Sequence, residues 1–445
     1  MKVYLPYGNS KLEIDLAESY DVSVIEPVPV PGLPQPRQAL KEALQAPLGS
    51  PPLHSLVGPG ERVGIIFNDI TRATPSRLLL EEILAELAHV PKGQVTLFNA
   101  LGTHRSNTDA ELRRMLGNRL VDEYRIVQNN AFDPATQECV GLTSLGHEVW
   151  LNRELLACDL KILTGFIEPH FFAGFSGGGK AIMPGMAGLK TILGNHSARM
   201  IGHPSATWGI TRGNPINEEV REVALKAGRL FLVNITLNKD KEITGVFCGS
   251  LDEAHAAGCA FARRTAQVPV TEPFDIVLTT NSGYPLDINL YQSVKGMSAA
   301  AQVVRPGGAI VIAAECRDGV PEHGLYGQLL SAHHSPAEVL EDICASTIDR
   351  QDQWEAQVQA LIQQKAAVYV YSDGLSDEQI RSALLIPCRD IKATLAGLVA
   401  HYGPQARVCV LPEGPQTIPY LEKLNSQAGR RSVSAVSPAE SPLDH

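Results

Sequence analysis

The sequence predicts an α/β protein of two domains, each with a mainly parallel sheet and flanking helices. Three observations carry that prediction. Short β-branched apolar runs alternate with segments of helical periodicity, the pattern of parallel strands joined by crossover helices. The chain has 445 residues, past the size at which one hydrophobic core usually stops growing. The alternation pauses once, at the polar, proline-bearing stretch "RRTAQVPVTEP" (263–273), and then resumes.

Before the pause the strand runs are "RVGIIFND" (62–69), "QVTLFNA" (94–100), "DLKILTG" (159–165) and "RLFLVNITL" (229–237). After the first run, "TRATPSRLLLEEILAEL" reads as a helix, with Thr74 as cap and Pro75 at the first helical position. Leu79, Ile83 and Leu87 recur there at helical spacing. After the second, Thr108 and Glu111 have capping-box spacing, which leaves His104 in the loop between strand and helix. Beyond the pause come "FDIVLTTN" (274–281), "GGAIVIAAE" (307–315), "AAVYVYSD" (366–373) and "ARVCVLPEG" (406–414). The expected division is an N-terminal α/β domain over 1–269 and a C-terminal one over 270–405, with the active site in the cleft between them. A final segment, 406–426, is free to return to the first domain. The Ser/Pro/Ala-rich tail 427–445 has the composition of a disordered segment.

Hydrophobic residues make up 44% of the chain and charged residues 19%, so disorder of the whole is excluded. The net charge is −10 and no block of lysines and arginines occurs. The footprint of a nucleic-acid or anionic-membrane binder is therefore missing, which favours a small-molecule partner. The start lacks an apolar core of signal-peptide length and no run approaches a membrane span, so a cytoplasmic protein is expected. Eight cysteines without a C-x-x-C pair signal neither a zinc site nor a disulfide framework.

Ligands of open α/β sheets bind beyond the carboxyl ends of the strands, and four such places carry unusual polar residues. These are Asp69 and Arg72 in "NDITRATP", His104 in "GTHRSN", the long segment 165–200, and "NSGYPLDINLYQSVKGMSAA" (281–300). Taken singly, Arg72 could pair with Asp69 at the surface and His104 could be a solvated loop histidine. Taken together, His104, His170 and His196 would bring three imidazoles to one mouth, and imidazole both titrates near neutrality and ligates metals. The segment 287–300 reads as a helix capped by Asp287, with Tyr291, Gln292 and Lys295 on one face, either solvated or turned to the cleft.

Within 165–200, "GFSGGGKA" fits a phosphate-binding P-loop except that Ala181 replaces the magnesium-ligating hydroxyl. Pro184 also follows too soon for a helix opened by the lysine. Consecutive glycines still let backbone N–H groups converge on an anion, and Ser176 adds a hydroxyl. Lys180, among glycines and apolar residues, is either a phosphate counter-charge or an amine of lowered pKa suited to a covalent bond.

The segment "EPHFFAGFSGGGKAIMPG…NHS", with "NDITRATP", "GTHR" and "YQSVKG" in order around it, resembles the nickel-pincer lactate racemase family over roughly 1–425. The resemblance implies a racemase or epimerase that inverts C2 of a 2-hydroxyacid by reversible hydride transfer through a 2-oxoacid. It implies as cofactor a nickel-pincer nucleotide, a pyridinium mononucleotide with thioamide and thiocarboxylate arms, attached at Lys180 and made by cofactor-biosynthesis proteins. By matching position His196 would ligate nickel. Ser176, Gly177 and Gly178 would hold the phosphate, and Asp69, Tyr291 and Gln292 would lie against the cofactor. His104 and His170 would be the two bases, while Arg72 and Lys295 would fix the substrate carboxylate. Trp354 aligns with a tryptophan near the substrate, or packs on a helix face. Which 2-hydroxyacid is inverted is not encoded in these motifs. The competing readings are a nucleotide-dependent transferase, against which Ala181 stands, and a non-catalytic carrier of the nickel cofactor, which would have no use for His104 and His170.

Overall fold

The computed structural model describes residues 1–322 and 324–422. The tail expected from 427 onward lies outside them, as do the last residues of the 406–426 segment. Two six-stranded sheets form the frame, and every predicted strand run is a strand of one or the other. The first sheet has the spatial order Ile243–Gly249, Leu230–Leu237, Leu160–Phe166, Val63–Asn68, Val95–Ala100 and Arg125–Gln128. All neighbours in it are parallel except the antiparallel edge pair Leu230–Leu237 with Ile243–Gly249. The second sheet is parallel throughout, in the order Ile386–Pro387, Ala366–Tyr371, Val304–Ala313, Phe274–Thr280, Arg407–Leu411 and Asp21–Val24. The central strands Ile65–Ile66, Ile162–Leu163, Val277–Leu278 and Ile310–Ile312 are fully buried, as parallel sheets covered on both faces require.

The chain crosses between the two sheets more often than a single linker near 270 allows. The first 24 residues pack on the second sheet: the hairpin Lys2–Tyr7 with Ser10–Asp15 covers it through Val3, Leu5 and Ile14. The strand from the 406–414 run also joins that sheet, between Phe274–Thr280 and Asp21–Val24, and does not return to the first. Within the supposed linker, helix Leu251–Ala266 runs on to Ala266. The next residues, Gln267–Val270, form a parallel pair with Ile418–Leu421. Extended Pro-containing chain can still donate ladder bonds from its other residues, which the reading of that stretch as a linker overlooked.

Local boundaries follow side-chain chemistry. Thr108 and Glu111 form the expected capping box of helix Asp109–Leu116. Thr74 does not cap its helix; its hydroxyl donates to Asn68 Oδ1 at 2.8 Å, and the helix Ser76–Glu86 starts after Pro75 without a side-chain cap. Helix Leu290–Ala301 is capped by Asn289, which accepts from the Gln292 N–H at 3.0 Å. Asp287, the expected cap, instead accepts from the Gly8 and Glu315 N–H groups at 2.7 and 3.1 Å, tying the N-terminal hairpin to the second sheet.

Each sheet reverses strand order once, between Val63–Asn68 and Leu160–Phe166 in the first and between Phe274–Thr280 and Arg407–Leu411 in the second. Such points open a crevice at the carboxyl ends of the strands. Helix Leu290–Ala301 lies close against the second crevice: a Cβ at Gly296 would stand 2.4 Å from the Thr280 carbonyl oxygen. Gly296→Ala is expected to lower stability by about 1–3 kcal/mol in denaturant titration. An unchanged midpoint would mean that this helix has slack.

Candidate active site

Twelve of the thirteen residues singled out in the sequence line one cavity at the first crevice: Asp69, Arg72, His104, His170, Ser176, Gly177, Lys180, His196, Tyr291, Gln292, Lys295 and Trp354. Gly178 is the exception. Its N–H donates to Asn234 Oδ1 at 2.7 Å, back into the sheet. The Ser176 hydroxyl donates to the Phe166 carbonyl and accepts from the Glu168 N–H, both at 2.9 Å. In this arrangement neither group is free to donate to a phosphate, so the glycine loop is braced from behind.

Asp69 and Arg72 sit in the turn that follows strand Val63–Asn68. The turn is held by Thr71, whose N–H and hydroxyl both donate to Asp69 Oδ1. Asp69 Oδ2 pairs with His104 Nδ1 at 2.5 Å, so the carboxylate answers the histidine and not Arg72 as a surface pair would. Burial works against the charge on Asp69, yet His104, then Arg72 and Thr71, hold its carboxyl below the ordinary range. A carboxylate on Nδ1 places the ring proton there and leaves Nε2 as a lone pair able to accept a proton.

His170 is set the other way. It lies on the hairpin Pro169–His170 with Gly174–Phe175, and Gly174 there has φ +79° with Ile210 O only 2.1 Å from where a Cβ would be. The Ala173 N–H donates to His170 Nδ1 at 3.2 Å, so the ring proton belongs on Nε2. Burial, then the positive Lys180, pushes His170 well below the usual histidine pKa and keeps it neutral. The two histidines thus face one cavity in opposite tautomers, one offering an acceptor and the other a donor.

Lys180 occupies the short 3-10 turn Gly178–Ala181, with Nζ 5.5 Å from the centre of the Phe172 ring. Burial, reinforced by Arg72 and Lys295, brings its pKa down to about 7. His196 ends helix Leu189–Asn195 and is held edge-on between Phe172 and Trp354, with ring centres 5.1 and 5.0 Å away. Its Nδ1 has no hydrogen-bond partner among the described residues, and burial pushes the ring down to about 3. Among those residues no three His, Cys, Asp or Glu side chains gather as a metal site, so a metal on His196 would take its remaining donors from elsewhere.

From the second sheet, helix Leu290–Ala301 turns Tyr291, Gln292 and Lys295 into the cavity. Lys295 Nζ donates to Gln292 Oε1 at 2.7 Å, and the Tyr291 hydroxyl accepts from Trp354 Nε1 at 2.8 Å. Trp354 is buried and also lines the cavity.

Two carboxyls were missed. Glu168, two residues before His170, has a buried Oε2 without a hydrogen-bond partner among the described residues, and burial raises its pKa. Glu355 follows Trp354, is 1% exposed, and is pushed up by burial to about 8. The available signal was the helix Gln353–Lys365, in which Gln353, Glu355, Gln357 and Gln359 are all buried: a helix with no clean apolar stripe that nevertheless sits inside.

A cleft of this kind, with opposed histidines, clustered cations and polar groups from two sheets, belongs to an enzyme of small molecules. Residues 7–209 match the lactate racemase N-terminal domain and residues 270–418 the lactate racemase C-terminal domain. The chain is 34% identical over 431 residues to the lactate racemase of Thermoanaerobacterium thermosaccharolyticum, covering 94% of this chain and 98% of that one. It is 35% identical over 383 residues to the lactate racemase of Lactiplantibacillus plantarum, covering 85% and 89%. The structure of the T. thermosaccharolyticum lactate racemase apoprotein superposes with a TM-score of 0.87, at 34% identity, over 94% of this chain and 100% of that one. A Thermotoga maritima protein shares the fold alone, at a TM-score of 0.67 and 16% identity, over 87% of this chain and 98% of that one. The chain belongs to the lactate racemase family and is an isomerase of the racemase type. No helix among the described residues is long and apolar enough to cross a membrane.

An amine with a pKa near 7 is reactive where surface lysines are not. Limited acylation followed by peptide mapping is expected to modify Lys180 half-maximally near pH 7. A midpoint near the ordinary 10.5 would mean that the amine is solvated.

Proposed function

We propose that the protein inverts C2 of a 2-hydroxyacid by reversible hydride transfer through a 2-oxoacid, using a nickel-pincer nucleotide joined to Lys180. The observation that carries this reading is the pair His104 and His170, poised in opposite tautomers in a cavity that also holds Arg72, Lys295 and Lys180. The residues fit the cofactor. Lys180 offers an amine of lowered pKa for attachment, and His196 is a neutral imidazole whose Nδ1 no other described residue uses. When bound, that group supplies the electrophile that takes the C2 hydrogen as hydride, which avoids a carbanion beside a carboxylate.

The chain's own residues do the rest. Arg72 and Lys295 hold the substrate carboxylate; Arg72 Nη1 has no partner among the described residues and suits that contact. His104 Nε2 takes the hydroxyl proton as hydride leaves, and Asp69 stabilises the imidazolium that results. His170 Nε2–H hydrogen-bonds to the oxygen of the 2-oxoacid. To act as base for the opposite enantiomer its ring turns and gives up the Ala173 bond; the imidazolium so formed is, in reverse, the acid that protonates the new hydroxyl, and His104 returns its proton to solvent as His170 regains one. Tyr291 and Trp354, bonded to each other, close the site from the second sheet and exclude water.

Production alongside the cofactor-making proteins, followed by intact mass, nickel content and peptide mapping, tests the attachment. An adduct at Lys180 is expected, absent in Lys180→Ala; an unmodified lysine in a preparation that loads a known relative removes the mechanism. His104→Ala and His170→Ala are expected to keep the adduct and lose about 10²–10⁴-fold in turnover. Because the racemic equilibrium fixes the ratio of kcat/KM, each should lose both directions. Inversion in deuterated water should leave the C2 hydrogen in place, whereas wholesale exchange would point to proton abstraction.

A further inference from the structure

We propose that Glu219 is a positioning residue for His196: acting through Asn195, it fixes where that imidazole stands in the cleft. The proposal rests on the reading that His196 ligates the nickel of the cofactor.

Glu219 does not line the cavity. It lies on helix Pro215–Lys226, on the face that otherwise buries Ile216, Val220, Val223 and Ala224. It is 3% exposed, yet both of its oxygens are claimed. Oε2 accepts from Asn195 Nδ2 at 2.8 Å, while Oε1 accepts from the Thr143 hydroxyl at 2.6 Å and from His147 Nδ1 at 2.7 Å. Three donors and no acceptor converge on this side chain, which suits a carboxylate and no amide of the same size.

Asn195 closes helix Leu189–Asn195, and His196 follows it directly. Its Nδ2 also donates to the Ile216 carbonyl at 3.2 Å, so two acceptors hold the amide nitrogen against helix Pro215–Lys226. His147 packs on the same turn: a Cβ at Gly194 would stand 2.8 Å from its Cγ. The His196 ring rests edge-on against Phe172 and Trp354, contacts that give way when the backbone beneath them shifts. The start of helix Pro215–Lys226 grips the facing wall as well, since Asn214 and Asn217 donate to the Phe172 and Ala173 carbonyls at 2.8 and 3.0 Å. The Phe172 ring packs edge-on against both His170 and His196, with centres 4.6 and 5.1 Å away. One helix end therefore sets the spacing of the two imidazoles, and Glu219 is the part of it that reaches His196.

Glu219→Gln puts an amide NH2 among three donors. With Oε1 kept for Thr143 and His147, the NH2 faces Asn195 Nδ2; an Asn195 flipped to answer it would set Oδ1 against the Ile216 carbonyl. The test takes the enzyme carrying the adduct at Lys180 and measures nickel release to excess chelator, with the adduct followed by mass. Glu219→Gln and Asn195→Ala are each expected to keep the adduct and release nickel about tenfold faster than the wild type. Because one acts through the other, the double variant is expected to be no worse than either single one, whereas independent losses of packing would add. Glu222→Gln is the control. It weakens the bonds from the same helix to Ser144 and touches none to Asn195, so nickel should leave at the wild-type rate.

A second readout needs no metal. In ¹⁵N-histidine-labelled apoprotein the ring signals of His196, identified by their loss in His196→Gln, are expected to shift or broaden in Glu219→Gln and Asn195→Ala and to stay in place in Glu222→Gln. Wild-type release in Glu219→Gln, additive effects in the double variant, or unmoved His196 signals would each overturn the proposal. A wild-type adduct without nickel would bring down the functional reading, and the His196 signals would then decide the proposal alone.

Discussion

Three cations, Arg72, Lys180 and Lys295, share one buried cleft, and their mutual repulsion organises the site around them. Alone in so enclosed a space, each would be driven neutral or out to solvent. Three carboxyls offset their charge, and a fourth lies close by. Asp69 is committed to His104, Glu168 Oε2 and Glu355 Oε1 have no hydrogen-bond partner among the described residues, and Asp352, beside His104, has its own carboxyl raised by burial to about 6. The lowered pKa of Lys180 comes first from burial and then from this crowding. A shift from 10.5 to about 7 corresponds to a bias on the order of 5 kcal/mol against the charged form, and that bias makes an amine nucleophilic at neutral pH.

Crowding of this kind needs a rigid frame, and the two switch points supply it. Asn68, Asp69 and Arg72 leave the first sheet on one side of its crevice, and Phe166, Glu168 and His170 leave on the other. The second sheet brings Lys295 and Tyr291 on a helix whose backbone touches the Thr280 carbonyl. The loops of the first sheet are tied by bonds that serve nothing but position: Ser176 to Phe166, Gly178 to Asn234, Thr71 to Asp69. The first two consume groups that a phosphate loop would present to its ligand. A glycine run there allows close approach to Asn234 and His255, where a Cβ would collide at 2.5 and 2.8 Å, and it sets Lys180 inward.

The strands and the cleft residues were legible because each strand run is apolar and β-branched and each polar cluster falls just beyond one. The connectivity was not. The second sheet takes its edge from Asp21–Val24, a stretch too short and too polar to read as a strand, and its pairing with Arg407–Leu411 spans nearly the whole chain. Helix caps were misjudged where a residue had a stronger partner elsewhere: Asp287 on two backbone N–H groups, Thr74 on Asn68. Glu168 and Glu355 escaped notice because their part is set by what surrounds them in space, not by a motif.

The same crowding sets the protein's dependence on pH, and the sign is unusual for lysines. Lys180 and Lys295 have folded pKa values near 7, far below the 10.5 of an open chain. Between about pH 7 and 10.5 the unfolded chain therefore binds more protons at these positions than the folded one, and their contribution to stability rises with pH across that window. Asp69 works in the opposite region: its folded carboxyl is depressed, so its contribution is present above the ordinary carboxylate range and is lost as pH falls. Near neutrality the site thus holds its lysines at a cost while Asp69 returns some of it. An enzyme built only for stability would place neutral side chains at 180 and 295. That this chain buries two amines beside an arginine instead is the mark of a cleft whose charges are kept for its ligands.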